Sequence, residues 1–270
     1  MENKVPVRFF VFTFIWSWLI WGIAIFLGFG NKNEFFMSAG VGVEFILTLI
    51  GAFGPAVGAI LSVLTIEGKG ALPKFFRQFF SLRFGWKTWV LIFLILGAAG
   101  AIAWILPEFF GAERINTYLP SVLIFPVYYL VMVFFGGGQE EIGWRGYISP
   151  FLEKKFGLAA GGLILGIIWA IWHLPLWFIS GTSQVYMNFA GFMMGLIGKS
   201  YIFSWIVKKS GNRLSSGLAI HGAVNAFAAL FPFLILADNA RQTRFWLYQT
   251  LILITGIIIV IIRIKNEKKT

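Results

Sequence analysis

The chain contains a long stretch without any charged side chain, from Phe156 to Gly198, in which no Lys, Arg, Asp or Glu occurs. A membrane-spanning helix needs roughly 20 predominantly apolar residues, so this stretch predicts two spans, divided by the Ser-Gly-Thr-Ser turn at 180–183. The other uncharged runs long enough to span are Phe9 to Phe29, Phe45 to Ile66, Thr88 to Pro107, Ile115 to Gln139, Leu214 to Ala237 and Phe245 to Ile262. These runs predict an all-α, polytopic membrane protein, an eight-helix transmembrane bundle.

The composition supports one integral membrane domain over residues 1–270. Only 12% of the residues are charged, whereas soluble domains carry about 25%, and the loops are too short to hold a second fold. Cysteine is absent, which excludes disulfides, thiol catalysis and cysteine-type zinc sites. The first apolar run is too long for a cleaved signal peptide, so we interpret it as a retained helix.

Positive charge is distributed unequally between the two sides of the predicted bundle. With the N-terminus inside, 17 of the 22 Lys and Arg residues fall on the cytoplasmic side, and four (Lys32, Arg114, Arg241 and Arg244) fall on the outer side. Because Lys and Arg accumulate in cytoplasmic loops, we expect both termini in the cytoplasm and a bacterial plasma membrane as the location. The net charge of +11 then reflects topology and attraction to membrane lipids, and nucleic acid is not an expected partner.

Three segments carry more local expectations. The Gly-Pro pair before Ala56 should bend the second span, because proline removes a helical hydrogen bond. Residues 72–86 alternate Phe pairs with Lys and Arg, which predicts an interfacial amphipathic helix on the cytoplasmic leaflet. We expect the fifth span to enter the membrane late, near Gly166, because His173 would otherwise lie roughly 24 Å deep. The small residues 157–162 would then be cytoplasmic or packed against protein.

The first polar group inside an apolar run is the pair Glu140 and Glu141, followed by Arg145. Adjacent helical residues point about 100° apart, whereas residues four apart share a face. Glu141 is therefore expected to pair with Arg145, which leaves Glu140 free to face a polar cavity as a general base. A pair of carboxylates that merely caps a helix end is the alternative for these residues alone.

The only two histidines lie in other apolar runs. His173 follows two tryptophans, and His221 stands four residues before Asn225, so these two share a helical face that could donate to an oxyanion. Each histidine alone could be a packing residue that bonds helix to helix. Taken together, three helices that each bring ionisable groups into the bundle favour a functional site, because such groups are costly in lipid. Lys199 lies within the sixth span, where we favour snorkelling to the interface over pairing with a glutamate.

These residues carry a resemblance to a known family. The chain resembles the CPBP family of intramembrane proteases, which includes the type II CAAX prenyl proteases and the bacterial Abi, or bacteriocin-immunity-like, proteins. Their pattern is Glu-Glu-x-x-x-Arg, then Phe-x-x-x-His, then His-x-x-x-Asn. The chain matches it at Glu140 to Arg145, at Trp169 to His173, where Trp replaces the usual Phe, and at His221 to Asn225. The similarity covers about residues 121–232.

The resemblance implies an eight-helix bundle with a polar cavity open to the cytoplasm, in which a peptide bond is hydrolysed. It implies that Glu140 and His173 activate water and that His221 and Asn225 stabilise the oxyanion. Glu141 and Arg145 would orient the first motif, and Trp169 would form an aromatic wall.

Two mechanisms remain open on this resemblance. In the first, which we favour, no metal or other cofactor takes part and Glu140 is the general base. In the second, zinc held by His173, His221 and Glu140 lowers the pKa of its bound water.

The leading functional hypothesis is an intramembrane endopeptidase, a hydrolase acting on a membrane-anchored, CAAX-like and possibly prenylated protein or peptide. The alternative is a non-enzymatic bacteriocin-immunity or scaffold protein. A transporter is disfavoured, because transporters often consist of two related halves and the ionisable groups here fall in the second half only.

Overall fold

The computed structural model describes residues 6–27, 42–80 and 84–267, and within these ranges every regular element is a helix. The α-helices are α1 (Val7–Phe26), α2 (Val43–Ala52), α3 (Gly54–Ile66), α4 (Leu72–Arg77), α5 (Trp86–Ile105), α6 (Phe125–Phe134), α7 (Glu141–Gly143), α8 (Ser149–Trp172), α9 (Phe189–Lys209), α10 (Ser215–Leu230) and α11 (Thr243–Glu267). The predicted all-α fold is thereby confirmed. Five of the Lys and Arg residues counted in the charge distribution, Lys4, Lys32, Arg83, Lys268 and Lys269, lie outside the described residues, as does the end of the first predicted span at 28–29.

Six stretches of the described residues are long and apolar enough to cross a membrane. One of them, Val122–Phe178, contains both α6 and α8, so it supplies two passes. The 16-residue helix α10 falls short of a full span by length, but it is buried along most of its length between neighbouring helices. The described residues therefore contain eight long helical segments, consistent with the predicted polytopic bundle.

The Gly-Pro pair breaks the second span as predicted. Helix α2 ends at Ala52 and α3 begins at Gly54, with Pro55 in its first turn. The break has a structural role, because a β-carbon at Gly143 would overlap the carbonyl oxygen of Pro55. The bent second span thus supports α7, where the first polar motif lies.

The first helix supports the C-terminal end of α8. The Trp172 indole donates to Ser17 Oγ over 2.8 Å, and the Ser17 hydroxyl in turn donates to the Gly51 carbonyl over 2.8 Å. Trp18 donates its indole N–H to the Trp172 carbonyl over 3.0 Å. These bonds fix the backbone immediately before His173.

Several predicted boundaries were wrong. The fourth span begins later than Ile115, because residues 112–121 are not helical and Tyr118 N–H instead donates to the Ala229 carbonyl. The seventh span stops at Leu230 rather than Ala237. These connections are as free of charged residues as the helices that they join. Hydropathy alone therefore does not distinguish an apolar loop from an apolar helix.

The predicted interfacial helix over 72–86 is shorter than expected. Helix α4 ends at Arg77, and α5 has begun by Trp86; residues 81–83 lie outside the described residues. Phe75, Phe79 and Phe84 are buried rather than turned to a lipid surface, while Phe80 is exposed. The alternation of Phe with basic residues therefore marks a segment partly inserted into the bundle.

Helix α8, which contains the fifth predicted span, begins well before Gly166. Helix α8 runs from Ser149 but is kinked at Gly157, where φ is 79° and ψ is 170°. Gly161 and Gly162 are packed against protein, since added β-carbons would meet the Leu152 backbone and the Tyr201 ring. The expected packing of the small residues 157–162 therefore holds for these two glycines, whereas Gly157, Ala159 and Ala160 are exposed.

Helices α9 and α11 approach closely through glycines. A β-carbon at Gly256 would lie 2.7 Å from the carbonyl oxygen of Gly198, which is backbone and cannot rotate away. Small residues allow membrane helices to pack backbone to backbone. This contact brings α11 against the buried face of α9.

We expect Gly256→Ala to lower the free energy of unfolding by about 1–3 kcal/mol, because overpacking forces helices apart. Gly22→Ala is the matched control, since its β-carbon would meet nothing within 4 Å and alanine favours a helix. Unfolding of both variants in mixed micelles measures the difference. Equal stability of the two variants would contradict the close approach.

Candidate active site

The first motif lies on irregular backbone between α6 and α8. After α6, Gly137 adopts a φ of 122°, a 3-10 turn covers Gly138–Glu140, α7 follows, and a π-helical turn covers Trp144–Ile148. Non-helical backbone at membrane depth is tolerated where it is buried in protein or lines a cavity, and π turns occur frequently at functional sites. The 3-10 turn ends at Glu140 and α7 begins at Glu141, so the two adjacent glutamates belong to helical turns of different type.

Glu141 is fully buried and connects the first motif to the third. Its carboxylate lies 2.9 Å from Arg145 Nη1, as the four-residue spacing predicted. It also contacts His221 Nδ1 over 2.8 Å, a contact between helices that the sequence did not predict. The Arg145 guanidinium lies over the rings of Trp169 and Phe203, at 4.7 and 4.9 Å from their centroids. This network fixes α7 against α8, α9 and α10.

Glu140 points to a different partner. The indole N–H of Trp169 donates to its Oε2 over 2.8 Å, and the carboxyl group is only 5% exposed. The Trp169 ring also meets the His221 ring edge-on, at 5.3 Å between centroids. Glu140, Trp169 and His221, one from each motif, therefore lie in one cluster.

His173 occupies the C-terminal end of α8. Its Nδ1 lies 2.8 Å from the Trp169 carbonyl oxygen. Because a carbonyl only accepts, Nδ1 carries the proton, and Nε2 of the neutral ring has a free lone pair. Trp169 thus holds Glu140 through its side chain and His173 through its backbone, although no hydrogen bond joins Glu140 directly to His173 in the described part of the chain.

His221 and Asn225 face the glycine loop at 136–138. The Asn225 amide donates to the Gly136 carbonyl. A β-carbon at Gly137 would overlap His221 Nε2 and crowd Asn225 Nδ2. Since Nδ1 of His221 contacts Glu141, Nε2 is the nitrogen turned to this loop. The predicted shared face is confirmed, and the loop lies across it.

Lys199 is placed differently from the expectation. The predicted snorkelling is wrong, because the side chain is only 7% exposed and lies inside the bundle. Helix α9 is central, packed against α8, α10 and α11, so this position faces protein on each side. Among the described residues, the alternative ion pair of Lys199 with a glutamate is not formed either.

The zinc alternative fits this arrangement poorly. Within the described ranges, no three His, Asp or Glu side chains are grouped so that they could hold one ion. The three candidate ligands have other partners: Trp169 bonds to both Glu140 and His173, and His221 contacts Glu141. The metal-free mechanism stays a proposal.

Sequence reasoning missed two features of this site. Trp169 was interpreted as an aromatic wall, but its indole N–H is a donor that phenylalanine lacks. The three consecutive glycines before Gln139 were not interpreted at all, although a run of glycine beside two glutamates indicates backbone that approaches other groups closely. Gln139 holds this loop by accepting from Gly137 N–H over 2.9 Å.

Comparison with known proteins agrees with the motifs. Residues 121–227, the segment that carries all three, match the family model described as type II CAAX prenyl endopeptidase, Rce1-like. CAAX prenyl protease 2 of Methanococcus maripaludis is 25% identical over 233 residues, covering 82% of each chain. The predicted family resemblance is confirmed. With the apolar helices, these matches support an integral membrane protein.

We expect the bond between Trp169 and Glu140 to stabilise the fold measurably. Trp169→Phe keeps the ring but removes the donor, and a hydrogen bond to a charged group contributes about 1.5–3 kcal/mol. A double-mutant cycle with Glu140→Gln, measured by unfolding in mixed micelles, should give a coupling energy of at least about 1 kcal/mol. Strictly additive effects would contradict the bond.

Proposed function

We propose that this protein is an intramembrane endopeptidase that cleaves near the C-terminus of a membrane-anchored, CAAX-like and prenylated protein or peptide. The observation that carries the proposal is the buried Glu140 carboxylate, held by Trp169 beside the His221 ring. The substrate class follows from the name of the Methanococcus maripaludis relative, CAAX prenyl protease 2, and from the description of the matching family.

Water activation is assigned to Glu140 and His173. Glu140 removes a proton from water, and the hydroxide attacks the carbonyl carbon of the peptide bond. His173 assists through Nε2, the nitrogen left free by the bond from Nδ1 to Trp169. The proton then passes to the leaving nitrogen, which departs as an amine while the carbonyl re-forms as a carboxylic acid. General base catalysis of this kind contributes roughly 10²–10⁴-fold.

Stabilisation of the tetrahedral oxyanion is assigned to His221 and Asn225. Asn225 has an amide N–H that now donates to a backbone carbonyl, the same chemical group as the substrate's. His221 donates from Nε2 only when both ring nitrogens carry protons, and the Glu141 carboxylate beside Nδ1 orients the ring. Donors fixed before the reaction stabilise developing charge without reorganisation.

The proposal is tested by cleavage of a prenylated reporter peptide by the purified protein in detergent. Glu140→Gln should lower kcat by at least roughly 100-fold, and Asn225→Ala by roughly 10²–10³-fold. Glu153→Gln is the control, because Glu153 lies on the same stretch of chain but pairs with Arg263 at 3.5 Å. Its activity should match the parent's.

A zinc chelator separates the two mechanisms. Undiminished cleavage in chelator is expected for the metal-free mechanism. Activity lost in chelator and restored by zinc would support the zinc mechanism instead. Cleavage that survives Glu140→Gln would remove Glu140 from the reaction, whereas absence of cleavage by the parent protein would favour the immunity or scaffold hypothesis.

The orientation proposed from the charge distribution places both termini in the cytoplasm of a bacterial cell. The chain has no cysteine, so single cysteines report accessibility without background. Glu113→Cys should react with an impermeant maleimide in intact cells, whereas Lys265→Cys, at the exposed end of α11, should react only after permeabilisation. The reverse pattern would contradict the orientation.

A further inference from the structure

The proposed mechanism does not use the buried cation Lys199. Lys199 lies in the middle of α9 and is only 7% exposed. In the described part of the chain no carboxylate forms an ion pair with its ammonium. Ionisable groups inside a membrane protein are costly and are usually paired or face a ligand or a cavity.

The surroundings of Lys199 are aromatic, with one unused donor. Its Nζ lies 6.0 Å from the Phe192 ring centroid and 5.9 Å from that of Tyr248. The Tyr248 hydroxyl is buried and has no hydrogen-bond partner among the described residues. An ammonium and a hydroxyl without partners form a donor set suited to an anion, above all a carboxylate.

This donor set lies next to the proposed catalytic cluster. The Phe192 ring contacts the His173 ring at 5.1 Å between centroids, so Phe192 lies between His173 and Lys199. The imidazole and the ammonium are therefore only one aromatic side chain apart. A peptide cleaved at Glu140 and His173 can therefore place a nearby C-terminus at Lys199.

We propose that Lys199 and the Tyr248 hydroxyl form a subsite that binds the free C-terminal carboxylate of the substrate. The inference rests on the proposed function and specifies its substrate class, a peptide with an unblocked C-terminus. The substrate carboxylate is the negatively charged partner that the Lys199 ammonium does not have in the free protein. Lys199 thereby positions the substrate along α9 with its cleavable bond at the catalytic cluster.

The test compares two prenylated peptides that differ only in the C-terminus, one a free acid and one a carboxamide. The parent should cleave the acid with a kcat/KM roughly 10- to 100-fold higher, the range of a hydrogen bond to a charged group. Lys199→Met should abolish this preference through a rise in KM for the acid, and should lower cleavage of the amide far less. Lys199→Arg should retain part of it.

The control is Lys209→Met, an exposed lysine on the same helix, which should keep the full preference. A merely structural role of Lys199 would lower cleavage of both peptides alike, and that result would overturn the proposal. An unchanged preference in Lys199→Met would overturn it too. Thermal unfolding of each variant identifies a folding defect, in which case Lys199→Arg and Tyr248→Phe decide, with Tyr248→Phe expected to weaken the preference.

Binding separates this inference from the proposed function. If the parent cleaves neither peptide, the hydrolase proposal fails on this substrate, and calorimetric binding of the same two peptides still tests the subsite. Tighter binding of the acid that disappears in Lys199→Met supports the carboxylate subsite. Equal binding of acid and amide overturns it.

Discussion

The fully buried carboxylate of Glu141 is the interaction on which the site depends. A buried charge is tolerated only when it is paired, and removing one partner of a buried pair costs about 3–5 kcal/mol. Glu141 contacts both Arg145 and His221, so it joins the irregular backbone of the first motif to α10. Arg145 extends the connection to Trp169 and Phe203 through its flat guanidinium. The catalytic candidates are therefore positioned by a neighbour that is not assigned to the chemistry.

Trp169 has the corresponding role between the first two motifs. Its side chain holds Glu140 and its backbone holds His173, so one residue sets the relative position of two groups that share no hydrogen bond among the described residues. The N-terminal helices support it indirectly, because Ser17 and Trp18 fix Trp172 three residues later. The part of the chain outside the family match thus stabilises the end of α8 that carries His173.

The sequence predicted contacts that follow from spacing along one helix. The pairing of Glu141 with Arg145 and the shared face of His221 and Asn225 are of this kind, and charge-free runs predicted the number of long helices. The sequence did not predict contacts between helices, since spacing along one helix does not give the direction in which two helices cross. Lys199 shows the same limit: its distance from the helix end predicted snorkelling, but α11 covers that face of α9. The glycine loop was missed because its turn is set by a positive φ that hydropathy does not register.

The glycine loop gives the free protein an internal stand-in for its substrate. The Gly136 carbonyl accepts from Asn225, so the amide is not left desolvated and unpaired while the site waits, a state that would cost about 1–3 kcal/mol. With Asn225 in its proposed role, an incoming peptide exchanges one carbonyl for another at the same donor. Entry of the substrate then requires displacement of the loop rather than removal of water from an empty pocket. Because the loop glycines have no side chain, the substrate carbonyl has room to take the position of the Gly136 carbonyl.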